Sequence, residues 1–596
     1  MNVIGSMIRN HGHKRKSKQK IFLFSRIHFL VIFFLCFGIL VIVQLFRIQV
    51  LRHTLYTVRA RDQYSVFRKI EPQRGVISWQ DLSTNEIFPL VVNRTVYSFY
   101  VVPKAIEDPQ YIARLLSPIV QKDEKVLFEM LNKKNDPYEL IESELTIERK
   151  EKIMGAITAS AIAKEGYGFE EGVQRYYLGE NLTAHSTGFV GFTDRDRETR
   201  RGLYGLEEYY DTALKGKEGI VLGEKDGVGR PIPLGKRVVK EVENGSDIQV
   251  TLDKNIQHKA CSVLNEGVKK FEASGGVVIV MDPKTGHILA LCGNPDFDPN
   301  QYGLSSQGSF VNPAISKEYE PGSVFKPITM AAALDMNAIT PLTTYHDSGY
   351  VKIGKYTIRN FDGQAHGVNT MVNVLESSLN TGAIFAMRAV GQEHFKKYVN
   401  AFGFGKLTGL ELAGETDGDV TSLDNTSEIY AATASYGQGI TVTPIQLVAA
   451  YATIARGGIL IKPTLIEKIT QAGTPIINEP QEVDRVISEE TASTVSLMLV
   501  SVVQNGYDRK AIVKGYKIAG KTGTAQISKH EGRGYGEETN QTFVGFGPVS
   551  NHGPVFVILV RLEEPKGARF ASNSTAPMFQ EIAEYVLSYL EVPTDE

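Results

Sequence analysis

The run from Ile27 to Phe46, IHFLVIFFLCFGILVIVQLF, constrains this chain more than any other segment. About twenty residues at ~1.5 Å each match a bilayer core of ~30 Å. The polar interruptions, His28 and Gln44, fall near the two ends, within reach of headgroups. The tail before it carries Arg9, Lys14, Arg15, Lys16, Lys18 and Lys20 and no acid. That excess of cations predicts that residues 1–26 stay in the cytoplasm and that everything after Phe46 lies outside the membrane. A cleaved signal peptide is the alternative. The run is long for an h-region, and RIQVLRH follows it where a signal would have a small-x-small site, so an uncleaved anchor over 27–46 is expected.

The 596 residues are too many for one ordinary core, so two or more domains are expected. A change of texture near residue 247 separates a mixed α+β pedestal over 47–246 from a layered α/β domain over 247–596. In the pedestal, LVVNRTVYSFYVV (90–102) reads as a strand, 108–133 and 146–163 as helices, and the Gly- and charge-rich stretches 190–202 and 215–245 as loops. In the second domain DIQVTLD reads as a strand. NIQHKACSVLNEGVKKFEA reads as an amphipathic helix with Ile256, Ala260, Val263, Leu264 and Val268 on one side. GGVVIVMDPKTGHILALCG then gives two apolar strands about a turn. VKIAGKTGTAQI, QTFVGFGPV and GPVFVILVRLE add three more strands, and MFQEIAEYVLSYL closes as a helix. Strands at both ends of this domain predict an antiparallel sheet, flanked by helices, in which the two ends meet.

A net charge of −2 offers no basic field for nucleic acid. Cys36 lies in the apolar run, which leaves Cys261 and Cys292. Two cysteines make no disulfide framework and no Cys/His metal set, so neither a bridge nor a metal is expected.

The residues with chemistry in them begin at EPGSVFKPITMAAALDM (320–336). A helix opening after the Pro-Gly break puts Ser323 and Lys326 at i and i+3, on one face. A serine hydroxyl needs a neighbouring base at neutral pH, and a lysine serves if burial or a second cation lowers its pKa. By itself the pair is weak, because an N-cap serine followed by an exposed lysine reads the same way; Ser17 and Lys20 repeat the spacing. Two further segments change the balance: Ser378-Leu379-Asn380, and Lys521-Thr522-Gly523-Thr524 after the apolar YKIA. The turn Lys284-Thr285-Gly286 and the triplets Ser83-Thr84-Asn85 and Ser422-Leu423-Asp424 are the decoys. Gly523 would let a substrate backbone approach closely.

Ser-x-x-Lys, Ser-Asp-Asn and Lys-Thr-Gly form the established signature of penicillin-binding proteins and class A β-lactamases, and the middle triplet here is Ser-Leu-Asn. With DPKTGHILALCGNPDFDPN, NPAISKEYEPGSVFKP, YGQGITVTPIQLVAAYATIARGG, FVGFGP, RGLYGLEEYYDTALKGKEG and RGVI, the chain resembles the monofunctional class B penicillin-binding proteins. The resemblance implies a β-lactamase-like transpeptidase domain and a peptidoglycan D,D-transpeptidase acylated by β-lactams. It implies that Ser323 is the nucleophile and Lys326 its base. Ser378 would relay a proton to the leaving D-alanine, and Asn380 would hold the substrate amide and Lys326. Lys521 would supply positive potential, Thr522 and Thr524 would bind the terminal carboxylate, and the N–H groups of Ser323 and Thr524 would form the oxyanion hole. No cofactor is implied. The partners implied are D-Ala-D-Ala stem peptides, the cytoplasmic membrane, a separate glycosyltransferase and divisome proteins. Ser-Leu-Asn resembles the Ser-x-Asn of division-type enzymes, whereas SWQDLSTNE after RGVI departs from the family's Asp-Arg-x-Gly turn. An elongation-type transpeptidase, a β-lactamase or carboxypeptidase on the same scaffold, and a β-lactam sensor or inactive scaffold are the rival readings.

Overall fold

The computed structural model describes residues 26–158, 166–193, 200–224, 238–528 and 534–595. The basic tail before Arg26, the end of the helix expected over 146–163, and the centres of 190–202 and 215–245 lie outside these residues. The chain forms two compact units, one of residues 1–71 and 218–242 and one of 72–217 and 243–596.

In the first unit the apolar run is a helix, Arg26–Phe46, extended by a π-helical turn over Arg47–Leu51. None of the residues of Arg26–Phe46 is buried against protein. A helix of this length with bare apolar sides is what a lipid-facing span requires. The helix His53–Tyr64 follows, with an antiparallel sheet in the order Ser65–Ile70, Gly219–Glu224, Val238–Lys240.

The second unit is organised on a five-stranded antiparallel sheet in the order Ile288–Asn294, Gly275–Met281, Phe556–Glu563, Tyr535–Gly547, Ala519–Ser528. The two ends of the domain therefore meet at its centre, where Val278 pairs with both Cys292 and Val560. Successive side chains of a strand face opposite ways, and GGVVIVM is apolar throughout because both faces are covered. Val277, Ile279 and Met281 enter one core, with Val324, Ile328, Leu447 and Val448; Val278 and Val280 enter the other, with Ile256, Ala260, Leu264, Phe579 and Ile582. The helix Lys254–Lys270 buries the side expected of it and is capped by Asp253, whose carboxylate accepts from the N–H groups of Asn255 and Ile256.

Cys261 of that helix is joined to Cys292 of the sheet by a disulfide, with the Cα atoms 5.3 Å apart. This corrects the expectation of unbridged thiols. Counting cysteines tests for a framework that replaces a core; it does not ask whether two positions face each other across a packed helix and strand. Cys261 lies three residues before Leu264 on the buried face, and Cys292 lies in the adjoining hairpin. Cutting a cross-link that closes 31 residues should cost about 3.7 kcal/mol in the chain-entropy account. Cys261→Ser/Cys292→Ser is expected to melt several degrees lower, and reductant should lower the wild-type Tm but not the variant's.

A second sheet runs in the order Thr474–Ile477, Ile466–Gln471, Asp247–Asp253, Ile77–Asp81, Glu86–Val101, Glu139–Leu145, with Tyr167–Tyr177 also paired to Glu86–Val101. Asp247–Asp253, where the sequence changes texture, is thus hydrogen-bonded on one side to the strand after RGVI and on the other to a strand beyond residue 460. Arg74 of RGVI meets Glu207 of RGLYGLEEYYD: the Arg74 Nε donates to Glu207 Oε2 at 2.6 Å, and Arg175 Nε donates to Oε1 at 2.7 Å. Glu207 is fully buried, so the two guanidinium groups offset its desolvation. The stretches read as loops contain the short paired strands Phe189–Phe192 and Arg200–Leu203, and Gly219–Glu224 and Val238–Lys240. Such strands are fixed by their pairing partners rather than by apolar alternation.

Candidate active site

The Pro321-Gly322 break opens a 3-10 turn, Gly322–Phe325, which runs into the helix Lys326–Asp335. Pro327 occupies the first turn, where no N–H is needed. The residue preceding that helix is Phe325, which makes no side-chain cap, so Ser323 is not an N-cap, and Lys326 is fully buried rather than exposed. Both features of the bland reading fail. The turn is gripped by backbone. Gly322 N–H donates to Gly437 C=O at 2.9 Å, and a Cβ on Gly437, at φ +80°, would lie 2.1 Å from the Gly322 oxygen. A Cβ on Gly523 would lie 2.9 Å from the Pro321 oxygen. The backbone that Gly523 admits is therefore that of the Ser323 turn, against the sheet edge.

Ser378 stands between the helices Met371–Glu376 and Asn380–Val390 in a left-handed conformation, φ 52°. That backbone is costly for a side-chain-bearing residue. It is held by Ser378 N–H to Leu375 C=O and Leu379 N–H to Val374 C=O. Lys326 Nζ donates to the Ser378 carbonyl at 2.5 Å and to the Ser378 hydroxyl at 3.1 Å. Asn380, expected to hold Lys326, instead donates its amide to Arg359 C=O at 2.9 Å.

Lys521 is fully buried on the edge strand Ala519–Ser528. Its Nζ donates to the Thr522 carbonyl at 3.2 Å and lies 3.8 Å from Asp508 Oδ2. The Thr524 hydroxyl accepts from Ala571 N–H at 3.2 Å, which leaves its own proton to donate elsewhere. Burial, and after it the Lys521 charge, push the Lys326 ammonium well below the usual lysine range. Burial also lowers Lys521, but Asp508 opposes the fall. A lysine whose charged form is disfavoured by burial and by a second cation is suited to act as a base.

Ser323, Ser378, Asn380, Thr522 and Thr524 open on one cleft of about 1560 Å³, and the two lysines lie behind its wall. Three segments scattered over 200 residues thus converge. The decoys do not: Lys284-Thr285-Gly286 is the turn between two strands, and Ser422-Leu423-Asp424 lies in a separate 3-10 turn. Sequence reasoning missed Asp508, and with it Arg359, Phe361, Tyr436 and Tyr507 on the cleft wall. Tyr436 opens the YGQGITVTP segment but carried no role there, and the other four lie outside every motif quoted above.

Residues 276–584 match the family described as penicillin binding protein transpeptidase domain, and residues 69–250 match the penicillin-binding protein dimerisation domain. Stage V sporulation protein D of Bacillus subtilis is 31% identical over 560 residues, 92% of this chain and 84% of that protein. The probable peptidoglycan D,D-transpeptidase PenA of Neisseria meningitidis serogroup A is 30% identical over 498 residues, 83% of this chain and 81% of that protein. Penicillin binding protein 2X from Streptococcus thermophilus shares the fold at a TM-score of 0.73 and 22% identity, over 89% of this chain and 81% of that one. With residues 276–584 and 69–250 both matched, and a relative 31% identical over 92% of this chain, the chain belongs to the penicillin-binding transpeptidase family.

Proposed function

We infer that the chain is a monofunctional, class B peptidoglycan D,D-transpeptidase working through a serine acyl-enzyme. The observation that carries this is the buried Lys326, hydrogen-bonded to Ser378 behind a cleft that Ser323 and Ser378 share. Ser323 Oγ attacks the carbonyl between the two terminal D-alanines of a stem peptide, and Lys326 takes the hydroxyl proton. The oxyanion is met by the N–H groups of Ser323 and Thr524, a kind of donor whose loss typically costs about a hundredfold or more in rate. Collapse breaks the C–N bond, and Ser378, in contact with Lys326, passes a proton to the departing amine. Lys521 with the Thr522 and Thr524 hydroxyls suits the terminal carboxylate, and Asn380 lines the cleft beside the substrate amide. An amine of a second stem peptide then attacks the ester, so turnover is ping-pong. β-Lactams acylate Ser323 by the same attack on a strained amide.

The basic tail supports a cytoplasmic N-terminus with the catalytic unit outside. The Ser378-Leu379-Asn380 triplet supports a division-type role beside a separate membrane glycosyltransferase. The lifetime of the penicilloyl adduct separates this reading from a hydrolase. A transpeptidase should hold the adduct for many minutes after excess drug is removed, whereas release within seconds would make the chain a β-lactamase.

A further inference from the structure

Two buried ammonium groups stand behind the cleft, and an acid stands beside one of them. Asp508 is almost wholly buried on the turn that follows the helix Glu489–Asn505. Its Oδ2 lies 3.8 Å from Lys521 Nζ and accepts from Thr522 N–H at 3.0 Å, so it grips the Lys-Thr-Gly strand by charge and by backbone together. Its Oδ1 is buried with no hydrogen-bond partner among the described residues, which leaves the carboxylate charge undivided by other donors on that side. Lys326, by contrast, bonds to the carbonyl and the hydroxyl of Ser378, both neutral.

We propose that Asp508 is a positioning residue that decides which of the two lysines carries the proton: it holds Lys521 as the ammonium and thereby leaves Lys326 as the base for Ser323. The inference rests on the roles given above to Lys326 and Lys521. Two titratable groups pushed apart by their surroundings are how a site separates its base from its fixed charge. Burial acts on both lysines, the acid opposes it at Lys521, and the Lys521 charge adds to it at Lys326. Two buried tyrosines of the adjoining core are neutral at pH 7. Tyr451, on the helix Pro444–Ala455, has its phenol pushed up by burial and then by Asp508, and Tyr319 stands beyond it. The Thr522 and Ser378 hydroxyls complete the surroundings. Arg509 and Lys510, on the same turn, are exposed and bond to Gln504 and Asn573.

The test is the pH profile of acylation of the full chain in detergent by a fluorescent penicillin. Activity should rise as Lys326 loses its proton and fall as Lys521 loses its own. Asp508→Asn keeps the shape and an acceptor for Thr522 N–H but removes the charge. The ammonium of Lys521 then becomes the weaker proton holder, and the alkaline limb should move down by about one unit or more, read as about tenfold slower acylation at a pH on that limb. Asp508→Ser is a second neutral variant and should move it the same way. On a Lys521→Arg background the limb should be absent with or without Asp508, because guanidinium does not deprotonate. A neutral variant whose profile keeps the wild-type shape, even with a lower Tm, overturns the proposal and reduces Asp508 to a support for the strand. If neither variant folds, Lys521→Arg alone decides, because an alkaline limb that stays in place overturns it. Ser323→Ala separates the two levels: a labelled Ser323→Ala sinks the site assignment itself, whereas a dark Ser323→Ala with an unmoved Asp508→Asn profile sinks only this inference.

Discussion

Ser323→Ala is expected to take covalent labelling by a fluorescent penicillin to background while the Tm stays within a few degrees of wild type. The chemistry requires the loss, since among the described residues no other hydroxyl has a buried lysine at i+3. The packing requires the second result. Ser323 is part-exposed on the cleft and does not cap the helix that follows it. Deleting such a hydroxyl normally changes stability by no more than about 0.5 kcal/mol. The paired measurement matters because an unfolded protein would also be dark. Labelling equal to wild type in a folded Ser323→Ala would end the assignment.

Lys326→Met should have the next largest effect, and with opposite signs in two assays. Acylation should fall by about a thousandfold, within the range of a lost general base. Stability should hold or rise. The folded-state pKa of Lys326 lies well below its ordinary value because of burial and the Lys521 charge. Between those two values the unfolded chain binds a proton that the folded one does not. The lysine's contribution to stability therefore increases as pH rises through that window, and below it a buried charge is carried at full cost. Methionine fills similar space and carries no charge, so the variant's Tm should fall less than the wild type's on going from alkaline to mildly acidic pH. A variant that melts far lower at every pH would mean that the bonds from Nζ to Ser378 are chiefly structural.

The parts of this molecule that could be read from the chain are those whose physics is local. The anchor is a matter of length and polarity, and the central sheet announced itself in strands too apolar to have a wet face. The helix after residue 253 was legible from its spacing and from the aspartate that caps it. Ser323, Lys326, Ser378 and Lys521 were legible as motifs, not as geometry: nothing in the sequence places Ser378 in a left-handed backbone or puts its carbonyl on Lys326. What stayed hidden depends on contacts between distant segments. Asp508 sits in NGYDRK, an unremarkable polar stretch, and acquires meaning through a strand thirteen residues on. The Cys261–Cys292 bridge needed the helix-on-sheet packing before it could be seen, and Gly523 needed the Ser323 turn laid against it. The short strands near 190–202 and 219–240 carry too little apolar pattern to stand out from loops.

The strand Asp247–Asp253 has a practical consequence for anyone who wants a soluble fragment. It looks like the natural place to cut, and a truncation beginning there would keep every reactive side chain. It would also strip away the neighbour Ile77–Asp81 and expose a row of backbone donors and acceptors, which is an invitation to aggregate. A fragment that starts ahead of residue 72 leaves that ladder whole, so the part of the chain with no chemistry of its own is needed to keep the reactive part in solution.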